Sequence, residues 1–556
     1  MIPEKETLTV EFKSDIRNLP DSEIFDAVVA FANTDGGDIY LGVENNGEVT
    51  GLHETHRNPI TLSAYIANNT VPPISVRTEV LDGEKQVLRI SVPKSHGGIA
   101  ATASGKILRR RIKLDGTPEN IPMYPTEIST RLSSLRLLDY SAMLVNDAAI
   151  DDFDPLETER LRKSISAYSG DKLLLELQDD ELFKAMGFVR ESEGRLIPTI
   201  TGLLMIGRKR MIEMHIPTHQ ASFQVLEGSN VKVNEDISLP LLALIERLID
   251  FTNVRNTAHE FEIGSYRMSI PDFDKRAVRE AIVNAFSHRD YTKMGRVRVC
   301  IADEGLRIAN PGGFIEGVTI NSLLTAEPQG RNPLLSDALK RVGLAERTGR
   351  GIDRIFEGSL LYGKQPPDYS ASTATTVSLL IPRCAYDPQI TRLVAKEQSR
   401  TGRPFSIHML LVLKALQESP GSSVRQLSAA TNFSETVIRT LLENAIVAGL
   451  AEEYGSGRSR TYILKRESYG EGNNTTGYLR QTDIYEPQHP EMILSLASSR
   501  DYISRADVMS LLHVTGPEAY RALKKLADAG KLEPINKGRY AKYRLHTCGA
   551  KVFVDT

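Results

Sequence analysis

The sequence has few cysteines, no long apolar run and no excess of charge of one sign. Its three cysteines, Cys300, Cys384 and Cys548, are odd in number and far apart. We therefore expect neither a disulfide framework nor a cysteine-rich zinc site, and a reducing compartment fits. The N-terminus lacks an apolar signal core, and no stretch of about 18 apolar residues occurs. These absences predict a cytoplasmic protein with no membrane partner.

The net charge of the protein excludes attraction of nucleic acid by an overall positive electrostatic potential. The formal net charge is −3, so any contact with nucleic acid must come from local basic patches. The Walker A pattern G-x-x-x-x-G-K-[ST] is also absent, which excludes a helicase motor of the RecG type. At 556 residues the chain is too long for one core, so several domains are expected.

The stretch from Arg279 to Ile352 carries the densest candidate chemistry. It opens with R-E-A-I-V-N-A-F, whose apolar residues recur at helical spacing. Glu280 and Asn284 are four residues apart and share one face of that helix. A carboxylate there can orient a water, and an amide oxygen can hold a cation. The glycines that follow allow backbone N–H groups to approach a phosphate.

This stretch resembles the degenerate GHKL-type ATPase domain of RecG-like proteins, over residues 196–385. The resemblance implies ATP and Mg²⁺ as cofactors, with Glu280 as the general base and Asn284 as the metal ligand. Asn310 to Gly313 stand where the family has an Asp and glycines facing the adenine. The alternative is a glycine-rich fold that has lost its nucleotide. The further nucleotide-binding residues predicted are Asn310, Gly312, Gly313, Arg331, Asn332, Gly349, Arg350 and Gly351.

Residues 1–128 are predicted to form a mixed α/β domain, in which Glu6 to Lys13 alternates like a strand and Asp21 to Ala32 has helical spacing with Ser22 as its cap. Glu11-Phe12-Lys13, F-A-N-T-D-G-G from Phe31 and the Gly42-Val43-Glu44 turn resemble the signature of the Schlafen AlbA-like domain. In Schlafen nucleases three carboxylates hold a metal ion, and here Glu6, Glu11 and Glu44 take those positions, with Glu44 replacing an Asp. They would be both catalytic and metal-binding, with Mg²⁺ or Mn²⁺. Nucleic-acid contact without cleavage, through Arg109 and Arg111, is the other interpretation.

The rest of the chain is predicted to form a helical connector, residues 129–195, and two winged helices, residues 404–466 and 488–548. Asp154-Pro155 is expected to begin a helix of the connector, and Ser434 is expected to cap the third helix of the first winged helix. Each winged helix shows three helices followed by a hairpin, a pattern whose third helix enters the major groove of DNA. Winged helices also serve as protein–protein modules. The predicted DNA-binding residues are Arg109, Arg111, Arg439, Arg458, Arg460, Arg521, Lys524, Lys525, Lys537 and Arg539.

Taken together, the sequence predicts a multidomain α+β protein with an AlbA-like α/β domain, a GHKL-like α/β sandwich and two winged helices. It resembles the bacterial Schlafen AlbA-like/RecG-like family of transcriptional regulators. The first functional hypothesis is a DNA-binding, ATP-responsive regulator that forms a homo-oligomer, with RNA as an alternative ligand. The second is a metal-dependent, Schlafen-type nuclease effector in phage defence.

Overall fold

The computed structural model of the protein describes most of the chain. The chain folds into two compact units. The first unit comprises residues 1–255, 278–352 and 368–380, and the second comprises residues 256–277, 353–367 and 381–556. The described residues are 2–263, 266–327, 329–346, 349–383, 386–454, 460–465, 489–498, 500, 502–512, 514–536 and 541–545.

The N-terminal part of the first unit is built on a four-stranded mixed sheet. The order of its strands is β1-β2-β5-β4, with β1 and β2 parallel and the other neighbours antiparallel. Helix α1 connects the two parallel strands, and its mostly aliphatic residues from Ile24 to Ala32 pack into the core. The elements are β1 Val10–Lys13, α1 Asp21–Ala32, β2 Gly37–Leu41, α2 Pro59–Asn68, β3 Thr70–Val71, β4 Arg77–Leu81, β5 Val87–Val92, β6 Ala101–Thr102, β7 Leu108–Ile112 and β8 Pro118–Pro122.

A helical segment follows and leads into the second sheet of this unit. Helix α4 begins where the sequence predicts, because the carboxylate of Asp154 accepts the backbone N–H of Leu156 and Pro155 takes the first helical position. The elements are α3 Pro125–Ser134, α4 Pro155–Ala167, α5 Asp179–Ala185, β9 Val189–Ser192, β10 Arg195–Pro198, α6 Ile200–Ile206 and α7 Lys209–His215.

The central sheet has five strands in the order β12-β11-β15-β16-β17. Its inner face is apolar: Phe223, Val297 and Val299 are fully buried, and Phe223 packs against Phe251 of helix α8. The alternate residues, such as Arg298, lie on the opposite, outer face. The elements are β11 Ala221–Glu227, β12 Asn230–Ile237, α8 Leu241–Asn253, β13 Ala258–Ile263, β14 Tyr266–Pro271, α9 Lys275–Ser287, β15 Val297–Ala302, β16 Gly305–Pro311, α10 Pro333–Val342, α11 Gly351–Leu360 and β17 Thr376–Pro382.

The C-terminal part of the second unit contains two similar arrangements of three helices and short strands. Ser434 accepts the backbone N–H of Val437 and so begins α15, as the sequence predicts. The elements are α12 Pro388–Thr401, α13 Ile407–Glu418, α14 Val424–Thr431, α15 Glu435–Val447, β18 Ala451–Tyr454, β19 Thr461–Leu464, α16 His489–Ser498, β20 Ile503–Ser504, α17 Arg505–Leu512, α18 Gly516–Asp528, β21 Leu532–Pro534 and β22 Lys542–Leu545.

Two predictions near the N-terminus, the start of the first strand and the cap of helix α1, differ from the structure. The strand predicted from Glu6 begins at Val10, because Thr7 and Val10 exchange backbone hydrogen bonds of 3.0 and 3.3 Å in a tight turn. Helix α1 spans the predicted residues, Asp21–Ala32, but it begins directly after Pro20, so Ser22 lies inside the first turn and does not cap the helix.

His219 is a buried histidine whose protonation opposes folding. It is 1% exposed, and its Nε2 donates to the carbonyl oxygen of Leu239 at 2.9 Å. Nδ1 has no hydrogen-bond partner within the described part of the chain. Burial, with a smaller effect from the charge of Arg289, lowers the pKa of His219 to about 4, from 6.5 in the unfolded chain.

We expect this histidine to make the protein less stable in mild acid. The unfolded state binds the proton first, so the contribution is complete above pH 6.5 and is lost as the pH falls toward 4. Between pH 6.5 and 5.5 the loss is about 1 kcal/mol. Urea unfolding at both pH values measures it in the native protein, in His219→Gln, and in His96→Gln as a control at an exposed histidine. An equal pH dependence in all three proteins would contradict the assignment.

Candidate functional site

The centre of the candidate site is the contact between helix α9 and the first residue of helix α11. Glu280 is 2% exposed and lies one turn before the half-buried Asn284. A Cβ atom added to Gly351 would overlap Oε1 of Glu280 and would lie 3.4 Å from Nδ2 of Asn284. The structure therefore brings Gly351 next to Glu280 and Asn284, which precede it in the sequence by 71 and 67 residues.

The position of Glu280 has an electrostatic consequence. The first backbone N–H groups of a helix carry partial positive charge and attract anions. Helix α11 begins at Gly351, so the carboxylate of Glu280 lies where an anion is favoured. Tyr369 is nearby, and burial together with the charge of Glu280 raises the pKa of its hydroxyl, which stays protonated. Gly349 has φ of +80°, which favours glycine, and Arg350 is exposed.

The Asn-Pro-Gly-Gly turn packs against protein atoms at the positions where the sequence predicts contact with adenine. A Cβ at Gly312 would lie 2.7 Å from Cβ of Asp290, and one at Gly313 would lie 2.5 Å from the carbonyl oxygen of Ala374. Asn310 is 4% exposed, and its amide donates to the carbonyl of Pro311 at 3.3 Å. The two glycines thus permit close packing of the protein on itself.

Arg331 and Asn332 also contact the protein, although the sequence predicts contact with a nucleotide. Arg331 is 2% exposed and donates to Oγ of Ser134 at 2.9 Å and to the carbonyl of Gly313 at 3.1 Å. Asn332 donates to the carbonyls of Ser287 and Arg289 at 2.9 and 2.8 Å. Buried polar groups need such partners, so both residues hold the loops around the site in place.

Arg289 is a structural residue of the loop after α9. Its guanidinium group is fully buried, stacks on Tyr291 and donates to the carbonyls of Asp290, Lys293, Gly295 and Thr218. The contacts fix the loop after α9. A guanidinium group has five N–H donors, so a buried arginine needs several acceptors around it.

The N-terminal carboxylates do not form the predicted metal centre. The described residues contain no group of three His, Cys, Asp or Glu side chains placed to hold a metal ion. Glu11 is paired with Arg110 and, at 3.0 Å, with Lys13. Glu6 accepts the backbone N–H of Phe12 at 2.9 Å, and Glu44 accepts the hydroxyl of Thr50 at 2.8 Å. Each carboxylate therefore has its own partner within the protein.

The arginines of strand β7 are also engaged within the protein. Arg109 pairs with Glu127, and Arg111 with Glu119 across the hairpin, both at 2.5 Å. Arg110, which the sequence analysis does not assign to a site, is 3% exposed and lies over the ring of Phe31 at 4.3 Å. The predicted contact of Arg109 and Arg111 with phosphates would have to replace these ion pairs.

The two C-terminal arrangements differ in available positive charge. Arg439 pairs with Glu435 at 3.1 Å, and Arg460 with Glu453 at 3.0 Å. On α18, in contrast, Arg521, Lys524 and Lys525 are exposed and form no ion pair within the described residues. Three predicted DNA-binding residues lie outside the described residues: Arg458, Lys537 and Arg539.

An ionic junction links the N-terminal sheet region to the loop after β16, within the first unit. Glu316 accepts hydrogen bonds from Arg131 at 2.6 Å and from Nδ1 of His96 at 2.9 Å. Arg131, on α3, also donates to the carbonyl of Ser95 at 2.7 Å. The side chains of Arg131 and Glu316 are 14% and 17% exposed, so the pair is only weakly screened by solvent.

Three family models match separate parts of this chain. Residues 6–114 match "Schlafen, AlbA_2", residues 132–222 match a domain of unknown function, and residues 295–380 match "Putative ATP-dependent DNA helicase recG C-terminal". The last match begins after α9, so it does not include Glu280 and Asn284. No curated protein matches the chain.

A solved structure shares the fold over nearly the whole chain. The crystal structure of the DIP2311 protein from Corynebacterium diphtheriae aligns with 97% of this chain and 95% of its own, at 20% identity and a TM-score of 0.50. No helix of the described residues is long and apolar enough to cross a membrane.

The matches define a class of multidomain α/β protein that joins a Schlafen AlbA_2 domain to a RecG-type, ATPase-like domain. The two matches support an AlbA-like/RecG-like family for this chain, over the residues that they cover.

The buried pair of Arg110 and Glu11 generates a prediction about stability. Arg110→Ala leaves the Glu11 carboxylate without its buried partner, which should lower the free energy of unfolding by about 3–5 kcal/mol. Arg111→Ala, which removes a more exposed ion pair, should cost under about 1 kcal/mol. Urea unfolding of the two variants makes the comparison. Similar losses in both would show that Arg110 does not have the structural role assigned to it.

Proposed function

We propose that this protein is a DNA-binding regulator whose central domain binds and responds to ATP. The observation that carries the proposal is the placement of Glu280 and Asn284 beside Gly351, at the start of α11. The AlbA-like domain and the C-terminal modules supply the nucleic-acid contacts. The family match to a RecG-type domain supports the ATPase-like part of this assignment.

The residues around Gly351 suit a nucleotide with a bound magnesium ion. The start of α11 would offer backbone N–H groups to phosphate oxygens once the Glu280 carboxylate has moved away from Gly351. In this proposal Asn284 would supply an oxygen ligand for Mg²⁺, and Glu280 would orient a water. The metal, when bound, neutralises phosphate charge. The protein is therefore expected to bind the phosphates through α11 and the cation through α9.

The same geometry explains how binding can alter the protein. The Glu280 carboxylate covers the start of α11, and a phosphate at that place would compete with it as a second anion. Binding then requires Glu280 or α11 to move, unless Mg²⁺ offsets the repulsion. A change of this kind gives the proposed response to ATP a physical origin.

We further propose that the two C-terminal arrangements are winged helices and that the second contacts DNA. Its third helix, α18, presents Arg521, Lys524 and Lys525 to solvent. The equivalent helix of the first, α15, presents Arg439 in an ion pair with Glu435. Unpaired cations are available to phosphates, so α18 is the better candidate for the DNA-reading helix.

The arrangement of the N-terminal carboxylates does not favour the second hypothesis, a metal-dependent nuclease. Glu6, Glu11 and Glu44 each have separate partners, and Arg110 neutralises Glu11. A metal ion would have to displace that buried guanidinium group.

ATP binding is tested by isothermal titration of the full chain with ATP in the presence of Mg²⁺. The native protein should release or absorb heat, and Asn284→Ala should weaken binding at least about 10-fold, because a metal ligand is lost. Asn68→Ala, at an exposed position on α2, is the matched control and should bind as the native protein does. No binding by the native protein, or equal binding by both variants, would reject the nucleotide site.

DNA binding is tested by charge reversal on α18. The Lys524→Glu, Lys525→Glu protein should bind duplex DNA more weakly, and the slope of log K against log salt should fall by about 1–2. A control with the same change in net charge is Lys163→Glu, Lys209→Glu, at exposed lysines of α4 and α7. Equal weakening in both double variants would mean that net charge, and not α18, governs binding.

A further inference from the structure

A polar hollow of about 840 Å³ lies on the outer face of the central sheet, within the first unit. This volume falls in the range of roughly 300–1,000 Å³ that is typical of ligand sites. Its lining residues include neither Glu280 nor Asn284, so it is separate from the proposed ATP site. Of its lining residues, the sequence predicts a ligand contact only for Asn310, whose amide donates to the carbonyl of Pro311.

The register of the strands explains which side chains line the hollow. On β15, Val297 and Val299 are buried in the core, so Arg298 between them projects from the outer face. Its neighbours across the sheet are Ser222 on β11 and Ala309 on β16. Both have small side chains, which leaves a depression in the protein surface on either side of the Arg298 side chain.

The hollow has more positive than negative charge. Arg296 is neutralised by Asp236 at 2.6 Å. Arg298 is exposed and Lys293 is half-buried, and neither forms an ion pair within the described part of the chain. The side chains of Arg298 and Lys293 therefore favour binding of an anion, which can accept charge-assisted hydrogen bonds from both.

The remaining lining supports a phosphate-bearing ligand. Neutral groups that donate and accept hydrogen bonds surround the cations, and no aromatic side chain is among the described lining residues. The lining therefore offers no aromatic ring on which a nucleobase could stack, whereas phosphate and sugar oxygens could accept hydrogen bonds from it. The neutral polar lining residues are Ser222, Gln224, Asn234, Asn310, Thr375 and Thr376.

The rim of the hollow is held rigidly. The buried Arg289 donates to the carbonyls of Lys293 and Gly295, and Asp290 N–H donates to the carbonyl of Pro311 at 2.9 Å. Gly295 has φ of +114°, and a Cβ there would lie 3.2 Å from Cγ of Pro311. A loop fixed in this way positions Lys293 before a ligand arrives, which reduces the entropy lost on binding.

We propose that this hollow binds a phosphate-bearing ligand through Arg298 and Lys293. The shared chemistry is the phosphate group, which can come from a small pyrophosphate-like molecule or from the backbone of a single nucleic-acid strand. The interaction needs no magnesium ion and no residue of the α9–α11 contact.

The test uses the full chain carrying Lys524→Glu and Lys525→Glu, which removes the proposed binding at α18. Its probes are inorganic pyrophosphate and a labelled 12-nucleotide oligo(dT), both without Mg²⁺. Arg298→Glu should weaken binding of at least one probe about 10-fold or more, since a charge-assisted contact becomes repulsive. Arg190→Glu, at an exposed arginine on β9, is the matched control. Lys293→Gln is a second variant in case Arg298→Glu is unstable.

The outcomes separate the two sources of phosphate. Binding of pyrophosphate that is lost in Arg298→Glu assigns a small ligand, and binding of oligo(dT) alone that is lost in the same variant assigns a strand. Failure of both probes to bind, or equal binding by Arg298→Glu and Arg190→Glu, would overturn the proposal. Asn284→Ala should have no effect here, so this result is independent of the ATP test.

Discussion

Buried guanidinium groups hold several of the loops that lie around the candidate sites of the first unit. A charged group removed from water destabilises the fold unless hydrogen bonds satisfy it, so its surroundings become fixed. Arg289 gathers the backbone carbonyls of the loop after α9, Arg331 joins that region to α3 and to the Gly313 carbonyl, and Arg110 ties β7 to Glu11. Residues that look like ligand-binding groups in the sequence therefore serve as internal supports.

The contact of Glu280 with the start of α11 suggests how a bound phosphate could be sensed. An anion already lies where a phosphate is favoured, so the two compete for the same partial charges. The loop after β16 follows the Asn-Pro-Gly-Gly turn and carries Glu316, which pairs with Arg131 and His96. The junction offers a physical connection from the central sheet to the AlbA-like domain, as proposals of coupling require.

Much of the architecture could be predicted from the sequence, whereas the partners of individual side chains could not. Helical spacing predicted α9 and placed Glu280 and Asn284 on one face, and capping residues predicted the starts of α4 and α15. Local patterns carry no information about contacts between distant segments, so the pairing of Glu11 with Arg110, 99 residues away, was not predictable. The outer-face hollow depends on strand register, which only the folded sheet defines.

The most direct test of the central claim is a crystal structure of the full chain with Mg²⁺ and a non-hydrolysable ATP analogue. The account predicts density for the phosphates at the start of α11 and for a cation beside Asn284, with Glu280 displaced from Gly351. An analogue bound elsewhere, with the contact between Glu280 and Gly351 unchanged, would contradict it.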